Sequence, residues 1–251
     1  MDTLHKELKE FGHVKTKELM SKHTTFKIGG PANFFIEMTE TDKLVALLNF
    51  LRGRNVSFVI LGGGSNMLVN DSGFRGVVIH VRTSSLTVKD SIIEADAGCI
   101  TAAIARKSVE NGLAGFEWAV GVPGTIGGAT RGNAGAMGYE MKDHILEVDA
   151  YVDGEVVTYT REECNFGYRH SRFKKHGEVV LRVRLKLEPG DKVASMKKML
   201  DVLQHRNDTQ PKGFASIGCI FKNFEIPRNK IQTNSKFQIP NRNQLSEIRK
   251  Q

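Results

Sequence analysis

Apolar residues recur at helical spacing along TDKLVALLNFLRGRNV, where Leu44, Leu47, Leu48 and Leu51 share one side and Thr41 is placed to cap the N-terminus. The pattern then changes period. VSFVIL, β-branched and aromatic, reads as a buried strand that runs straight into GGGSN, and GVVIHV reads as a second strand. LTVK and IIEADAG predict two short strands joined by a turn at Asp90-Ser91, and TAAIARKSVENG a helix stopped by Asn111-Gly112. After a glycine-dominated stretch to about residue 140, LEVDAYVDGEVVTY predicts a hairpin turning at Asp153-Gly154. EVVLRVRLKLEPG is a long alternating strand closed by Pro189-Gly190. KVASMKKMLDVLQHR predicts an amphipathic helix with Val193, Met196, Met199, Leu200 and Leu203 on its apolar side.

Helices and short strands alternate here without a strict βαβ rhythm, which points to an α+β fold rather than a doubly wound sheet. Breaks are expected near 83–85, between two strand groups, and at Glu188-Pro189-Gly190. The last segment, FEIPRNKIQTNSKFQIPNRNQLSEIRKQ, keeps neither period and is too polar to bury a core of its own, so it is expected to be extended or disordered.

The 251 residues suffice for one large or two modest domains without staples. The three cysteines, Cys99, Cys164 and Cys219, are far apart and form no CxxC or Cys/His cluster, so neither a disulfide framework nor a metal site is expected. The charged opening stretch has no apolar core of the secretory kind, and no apolar run is long enough to span a bilayer. A cytoplasmic location and no membrane partner are the expectation. A net charge of +8 suggests an anionic partner. The basic residues are scattered, RHSRFKKH excepted, and no aromatics are interleaved for stacking, so a phosphorylated small molecule is expected rather than nucleic acid.

Glycine carries the candidate chemistry. In LGGGSN, Gly62, Gly63 and Gly64 let the backbone bend and turn N–H groups toward a ligand, and Ser65 and Asn66 add side-chain donors. A tight turn without a ligand is the plainer alternative. GVPGTIGGA, with Gly121, Val122, Pro123, Gly124, Thr125, Gly127 and Gly128, is a second such loop. GNAGAMG, with Asn133 and Gly135, is a third. Neither a GxGxxG fingerprint nor a P-loop is present. Each glycine in an ordered segment has an entropic cost, so three loops of this kind point to backbone packed close around an extended, phosphate-bearing cofactor.

Taken in order, HTTFKIGGPANFF, ILGGGSNMLVNDSGFRGVVIH, GFEWAVGVPGTIGGATRGNAGAMGYEM, NFGYRHSRFKK and TQPKGFASIGCIFKN resemble the UDP-N-acetylenolpyruvoylglucosamine reductase family over roughly residues 20 to 223. The resemblance implies an FAD domain of the vanillyl-alcohol-oxidase type in two α+β subdomains, plus a substrate domain. It places an N-terminal helical segment at 1–20, the FAD domain at 21–188 (subdomains 21–84 and 85–188), and a partial substrate domain at 189–251 with its tail from about 224. It further implies a monomer that uses NADPH and FAD to convert UDP-N-acetylenolpyruvoylglucosamine to UDP-N-acetylmuramate in peptidoglycan precursor synthesis.

The same resemblance implies residue roles. Gly62 to Asn66 fall on the FAD pyrophosphate, with Gly121 to Gly128, Asn133 and Gly135 near the flavin and its ribityl chain. Arg169, in GYRHS beside Tyr168, matches the arginine on the substrate carboxylate. Cys219 stands where the family usually has the serine that protonates C2, and a thiol is the stronger acid of the two. Asn223 matches a residue near the substrate diphosphate, with Lys222 assisting. Cys99 and Cys164 are expected to be buried packing residues. Lys27 replaces an arginine frequent in the family. The segment that normally follows, with AGLKG-like and HANF-like stretches and a late glutamate, has no counterpart, and neither Glu225 nor Glu247 has its context. The sequence therefore reads as a shortened member, either partial or diverged into an FAD-binding protein without the full reductase step. A flavin oxidase with covalently held FAD is a further reading, although neither of the first two glycine loops contains histidine.

Overall fold

The computed structural model describes residues 2–210 and 213–222, so Asn223 and the polar segment beyond it lie outside the described residues. The chain opens with α1 (Asp2–Leu8) and continues in β1 (Val14–Leu19). This corrects the helical reading of 1–20. Val14–Leu19 pairs antiparallel with β2 (Pro31–Met38), Val14 opposite Ile36 and Leu19 opposite Pro31, so tertiary pairing sets its conformation. The helix α2 (Thr41–Gly53) follows and buries Leu44, Leu47, Leu48 and Leu51. Its cap differs from expectation. Glu40 is the flanking residue, and the Thr41 hydroxyl, already inside the helix, is buried without a hydrogen-bond partner among the described residues. Next come β3 (Phe58–Leu61) and β4 (Phe74–Val81). β4 lies parallel to both β2 and β3, giving the strand order β1-β2-β4-β3.

Alternation along these strands builds two apolar layers. Phe34, Ile36, Val77 and Ile79 face the main core with α1 and α2, while Ala32, Phe35, Leu61 and Val78 join Met20 on the opposite face. Each fully buried Leu or Phe contributes roughly 1.5–3 kcal/mol.

The second half begins with β5 (Leu86–Lys89) and β6 (Ile92–Asp96), turned at Asp90 with φ 52°, and α3 (Thr101–Glu110), ended by Asn111 and by Gly112 at φ 70°. After β7 (Leu113–Ala114) and a 3-10 turn over Glu117–Gly121, the chain forms α4 (Ile126–Arg131), then a small ribbon of β8 (Gly135–Ala136) and β9 (Tyr139–Glu140). β10 (Ile145–Val152) and β11 (Glu155–Thr160) make the hairpin expected at Asp153-Gly154, where both residues have positive φ. The short α5 (Arg172–His176), β12 (Val179–Lys186), β13 (Glu188–Pro189) and α6 (Lys192–Thr209) follow. β5, β6, β10, β11 and β12 form an antiparallel sheet in the order β11-β10-β12-β6-β5. Its inner residues, among them Ile93, Ala95, Val148, Tyr151 and Val183, share the main core with α2 and the first sheet.

The α6 helix departs from its predicted face. Of the expected apolar side only Met199 is buried, whereas Val193, Met196 and Leu200 are 77%, 40% and 59% exposed. The buried partner of Met199 is polar: the Ser195 hydroxyl donates to Glu117 Oε1 at 2.6 Å. The Asp191 carboxylate caps the helix by accepting from the Ala194 amide at 2.7 Å. One compact unit runs through Ile220.

Candidate active site at two ends of a short helix

Two of the glycine loops lock against each other. The first leaves β3 at Leu61, and the second enters α4 at Ile126. A Cβ on Gly62 would stand 2.6 Å from the Thr125 hydroxyl oxygen, and one on Gly63 2.7 Å from the Gly124 Cα. Gly64 has φ +64°, and a Cβ there would lie 2.1 Å from the His23 carbonyl oxygen. Backbone atoms therefore already require glycine at Gly63 and Gly64, and the Thr125 side chain crowds Gly62, positions that the sequence-based reading attributed to a ligand. The Ser65 hydroxyl donates to the Pro123 carbonyl at 3.2 Å and crosses between the loops. Thr101 holds the second loop from behind, its N–H 3.1 Å and its hydroxyl 3.3 Å from the Gly124 carbonyl. Gly127 packs on Ala97 and donates its N–H to the Ala97 carbonyl at 2.9 Å. Thr125 caps α4 by accepting from the Gly128 N–H at 3.4 Å. The Arg206 guanidinium of α6 donates to the Gly121 carbonyl.

What the interlock leaves over is a run of donors. Among the described residues, no acceptor meets the N–H groups of Gly63, Gly64, Ser65 or Asn66, although Gly64 is itself buried. Consecutive free N–H groups on a bent backbone are a cradle for an anion such as a pyrophosphate.

Thr25 ties a distant segment to this loop. Its N–H donates to the Gly64 carbonyl at 3.2 Å, and its hydroxyl to the Ser216 carbonyl at 2.6 Å. The Ser216 N–H returns to the Thr25 carbonyl at 3.3 Å, and a Cβ on Gly218 would lie 3.3 Å from the Ser65 carbonyl oxygen. The stretch that carries Cys219 is thus laid across the first glycine loop, with Cys219 exposed. Thr25 and Thr101 carry these connections and were not singled out from the sequence. A threonine in a loop has no periodicity to betray it, although Thr25 lies in HTTF, one of the stretches that carried the resemblance.

The second cluster sits at the other end of α4, about 9 Å of helix away by its six residues. Arg169, at φ +53°, donates Nη1 to the Asn133 carbonyl at 3.4 Å and Nη2 to the Gly135 carbonyl at 3.3 Å. Its guanidinium carbon lies 5.4 Å from the Tyr168 ring centroid. Together with Gly135, Ala136 and Glu140, Tyr168 and Arg169 line a cavity of about 260 Å³. A larger depression of about 360 Å³, between Lys142, Arg161 and Phe166, includes none of the predicted site residues. Lys222 is exposed, and Asn223 lies outside the described residues.

Both remaining cysteines are buried as expected. Burial pushes the Cys99 thiol up to about 11 and the Cys164 thiol to about 12, so neither is a thiolate at neutral pH. For Glu117, burial works against ionisation. The hydrogen bonds from Ser195 and from the Gly115 N–H at 2.8 Å outweigh it and hold the carboxyl below its ordinary value.

Residues 32–160 match the family model described as an FAD binding domain. The UDP-N-acetylenolpyruvoylglucosamine reductase of Carboxydothermus hydrogenoformans is 39% identical over 223 residues, covering 87% of this chain and 74% of that protein. The reductase of the same name from Clostridium kluyveri is 36% identical over 219 residues, covering 86% and 72%. Among solved structures, the UDP-N-acetylenolpyruvylglucosamine reductase of Thermus caldophilus superposes with a TM-score of 0.73 at 33% identity, over 84% of this chain and 75% of that one. An alkyldihydroxyacetonephosphate synthase superposes with a TM-score of 0.57 at 15% identity, over 75% of this chain and 40% of that one. That likeness concerns the fold alone.

Proposed function

Because this chain belongs to the UDP-N-acetylenolpyruvoylglucosamine reductase family, we propose that it binds FAD and, with NADPH as reductant, reduces UDP-N-acetylenolpyruvoylglucosamine to UDP-N-acetylmuramate. The observation that supports this most is the juxtaposition around α4. Unpaired N–H groups at Gly63–Asn66 lie at one end, and an arginine-lined cavity lies at the other. FAD, when bound, supplies hydride transfer between a nicotinamide and the enolpyruvyl carbon. The N–H groups of Gly63 to Asn66 fit its pyrophosphate, since they are donors without competitors, and Gly121 to Thr125 form the wall against which that loop is held.

Arg169 takes the substrate carboxylate. Reduction of the enolpyruvyl double bond drives negative charge onto that carboxylate, so a fixed guanidinium is worth more as the reaction proceeds than in the ground state. Two carbonyl hydrogen bonds preset its direction and leave its charge uncompensated by any acidic partner among the described residues. Tyr168 shares the cavity wall. Cys219 gives the proton to C2, and Lys222 and Asn223 serve the diphosphate. The division at 84/85 follows the gap between the two sheets, and the substrate domain is taken to begin at 189. The setting is peptidoglycan precursor synthesis in the cytoplasm, carried out by a monomer. No helix among the described residues is long and apolar enough to cross a membrane.

The exposure of Cys219 favours one second reading, an FAD-binding protein without full reductase activity. Two measurements separate the readings. Purified protein incubated with FAD and desalted should keep the absorbance of bound flavin; colourless protein would sink both. In rapid mixing, NADPH should bleach the flavin of parent and Cys219→Ala protein alike, and only the parent should recover colour with the enolpyruvyl substrate. A parent that bleaches but never recovers fits the second reading, and equal loss of both half-reactions in Cys219→Ala gives Cys219 a structural role.

A further inference from the structure

We infer that Asn133 is a positioning residue for Arg169 and not a cofactor ligand, and that it sets the recognition of a carboxylate in the Arg169 cavity. The inference rests on the reductase reading above for the identity of that carboxylate. The resemblance had placed Asn133 beside the flavin, but its side chain is engaged elsewhere. Asn133 has no solvent exposure. Its Nδ2 donates one hydrogen to the Gly167 carbonyl at 3.0 Å and the other to Glu140 Oε2 at 3.0 Å. Its Oδ1 accepts the Lys142 N–H at 3.1 Å. Both donors of the amide are used, so no hydrogen remains to offer a ligand.

The destinations explain what the engagement achieves. Gly167 and His170 exchange two hydrogen bonds of 3.0 Å, which closes a tight turn with Tyr168 and Arg169 at its tip. Arg169 itself sits at φ +53°, a conformation that persists only where the surroundings enforce it. Asn133 grips the base of that turn through Gly167 and, with its own carbonyl, takes Nη1 of the same arginine at 3.4 Å. Its hold on Glu140 fixes the opposite wall of the cavity, where Lys142 also pairs with that carboxylate at 2.8 Å. One buried amide therefore registers both walls against each other. Asparagine suits the position twice over, since it tolerates φ +43° and carries two donors. Aspartate would keep the shape, lose both donors, and turn a second carboxylate toward Glu140.

The test uses the full chain with Asn133→Gly, which removes the amide without backbone strain, and Asn133→Asp. Each is made alone, and Asn133→Gly also in an Arg169→Ala background. Flavin fluorescence of the apoprotein gives FAD affinity. Calorimetry on the FAD-loaded protein compares UDP-N-acetylenolpyruvoylglucosamine with UDP-N-acetylglucosamine, which lacks the carboxylate. The expected result is an FAD affinity within about twofold of the parent, together with a preference for the carboxylate ligand reduced about tenfold or more. In the Arg169→Ala background, Asn133→Gly should add nothing, the non-additivity of residues that act through one another. FAD binding weakened tenfold would make Asn133 a cofactor ligand and overturn the inference. So would an intact preference in Asn133→Gly, or loss of folded protein in both single variants. A parent that binds the two ligands equally overturns the reductase reading and this inference with it, which distinguishes that failure from failure of the inference alone.

Discussion

Burial among Phe116, Trp118 and Gly115 holds the His144 imidazole below its ordinary range, against the smaller opposing pull of Asp143 and Glu117. Its Nε2 accepts the Trp118 indole N–H at 3.1 Å, so a proton on that nitrogen would set two donors against each other. The folded-state value lies below the unfolded one, near 6.5. The stabilisation is therefore complete above that pH and is lost as pH falls through the window down to the folded value. Burial lowers His80 in the same direction, outweighing its bond to Glu37. Trp118 is the single tryptophan and reports the change directly. The urea midpoint followed by its fluorescence should fall between pH 7.5 and 5.5, and His144→Gln, which can still accept the indole N–H, should flatten that fall. An unaltered fall in His144→Gln would move the effect to His80 or elsewhere. At this scale the sequence is an uneven guide. Cys99 and Cys164 were correctly read as packing residues. For Gly62, Gly63 and Gly64 the sequence reading named a ligand and missed a contact within the protein. Their lack of a side chain is demanded by Thr125, Gly124 and His23, all remote in sequence, and no local pattern announces a contact between two loops.

The α6 helix shows where periodicity misleads at the scale of elements. Its extent was legible and its face only in part, because Met199 and Leu203 reach the core while a Ser195–Glu117 hydrogen bond anchors the helix beside them. A pattern of apolar residues predicts what would be buried if apolar surface met it; here the turn at Glu117–Gly121 offers a carboxylate. Ser195→Ala should lower stability by about 1–2 kcal/mol, because Glu117 keeps its burial and loses a donor. Equilibrium denaturation measures this, and a cost under about 0.3 kcal/mol would mean that the pair does not anchor the helix. The β1 strand failed for a related reason. A six-residue segment with one buried position has little signal of its own, and β2 recruits it by backbone pairing. The strands of the second sheet were legible because alternation, a left-handed Asp-Gly turn and length all agree there.

For the molecule as a whole, order of motifs carried more than any motif alone. The succession of glycine loops, GYRHS and the Cys219 stretch pointed to the family and fold class, which the relatives and the superposed reductase bear out. Distances were beyond reach of the same reading. That α4 separates a run of unpaired N–H groups from an arginine-lined cavity, or that Thr25 lays the Cys219 stretch on the first loop, follows from three-dimensional closure. Charge reads similarly. The net +8 suggested an anionic partner, yet Arg182 and Arg184 are taken up by Glu94, Asp96, Glu147 and Asp149 across the second sheet, where the hydrogen bonds that Arg184 donates to Asp149 hold its guanidinium above its ordinary value.

The four N–H groups from Gly63 to Asn66 leave a signature in time as well as in space. Amides of β4 and β12 sit in sheet interiors and should trade hydrogen for deuterium only on rare openings, whereas these four, lacking acceptors among the described residues, should trade far faster than the strands beside them. A bound pyrophosphate would slow that stretch selectively, and labelling with and without FAD, read by mass spectrometry, follows it peptide by peptide. Equal slowness in both states would mean that the donors already have partners. The loop is then a clock for occupancy that needs neither substrate nor turnover.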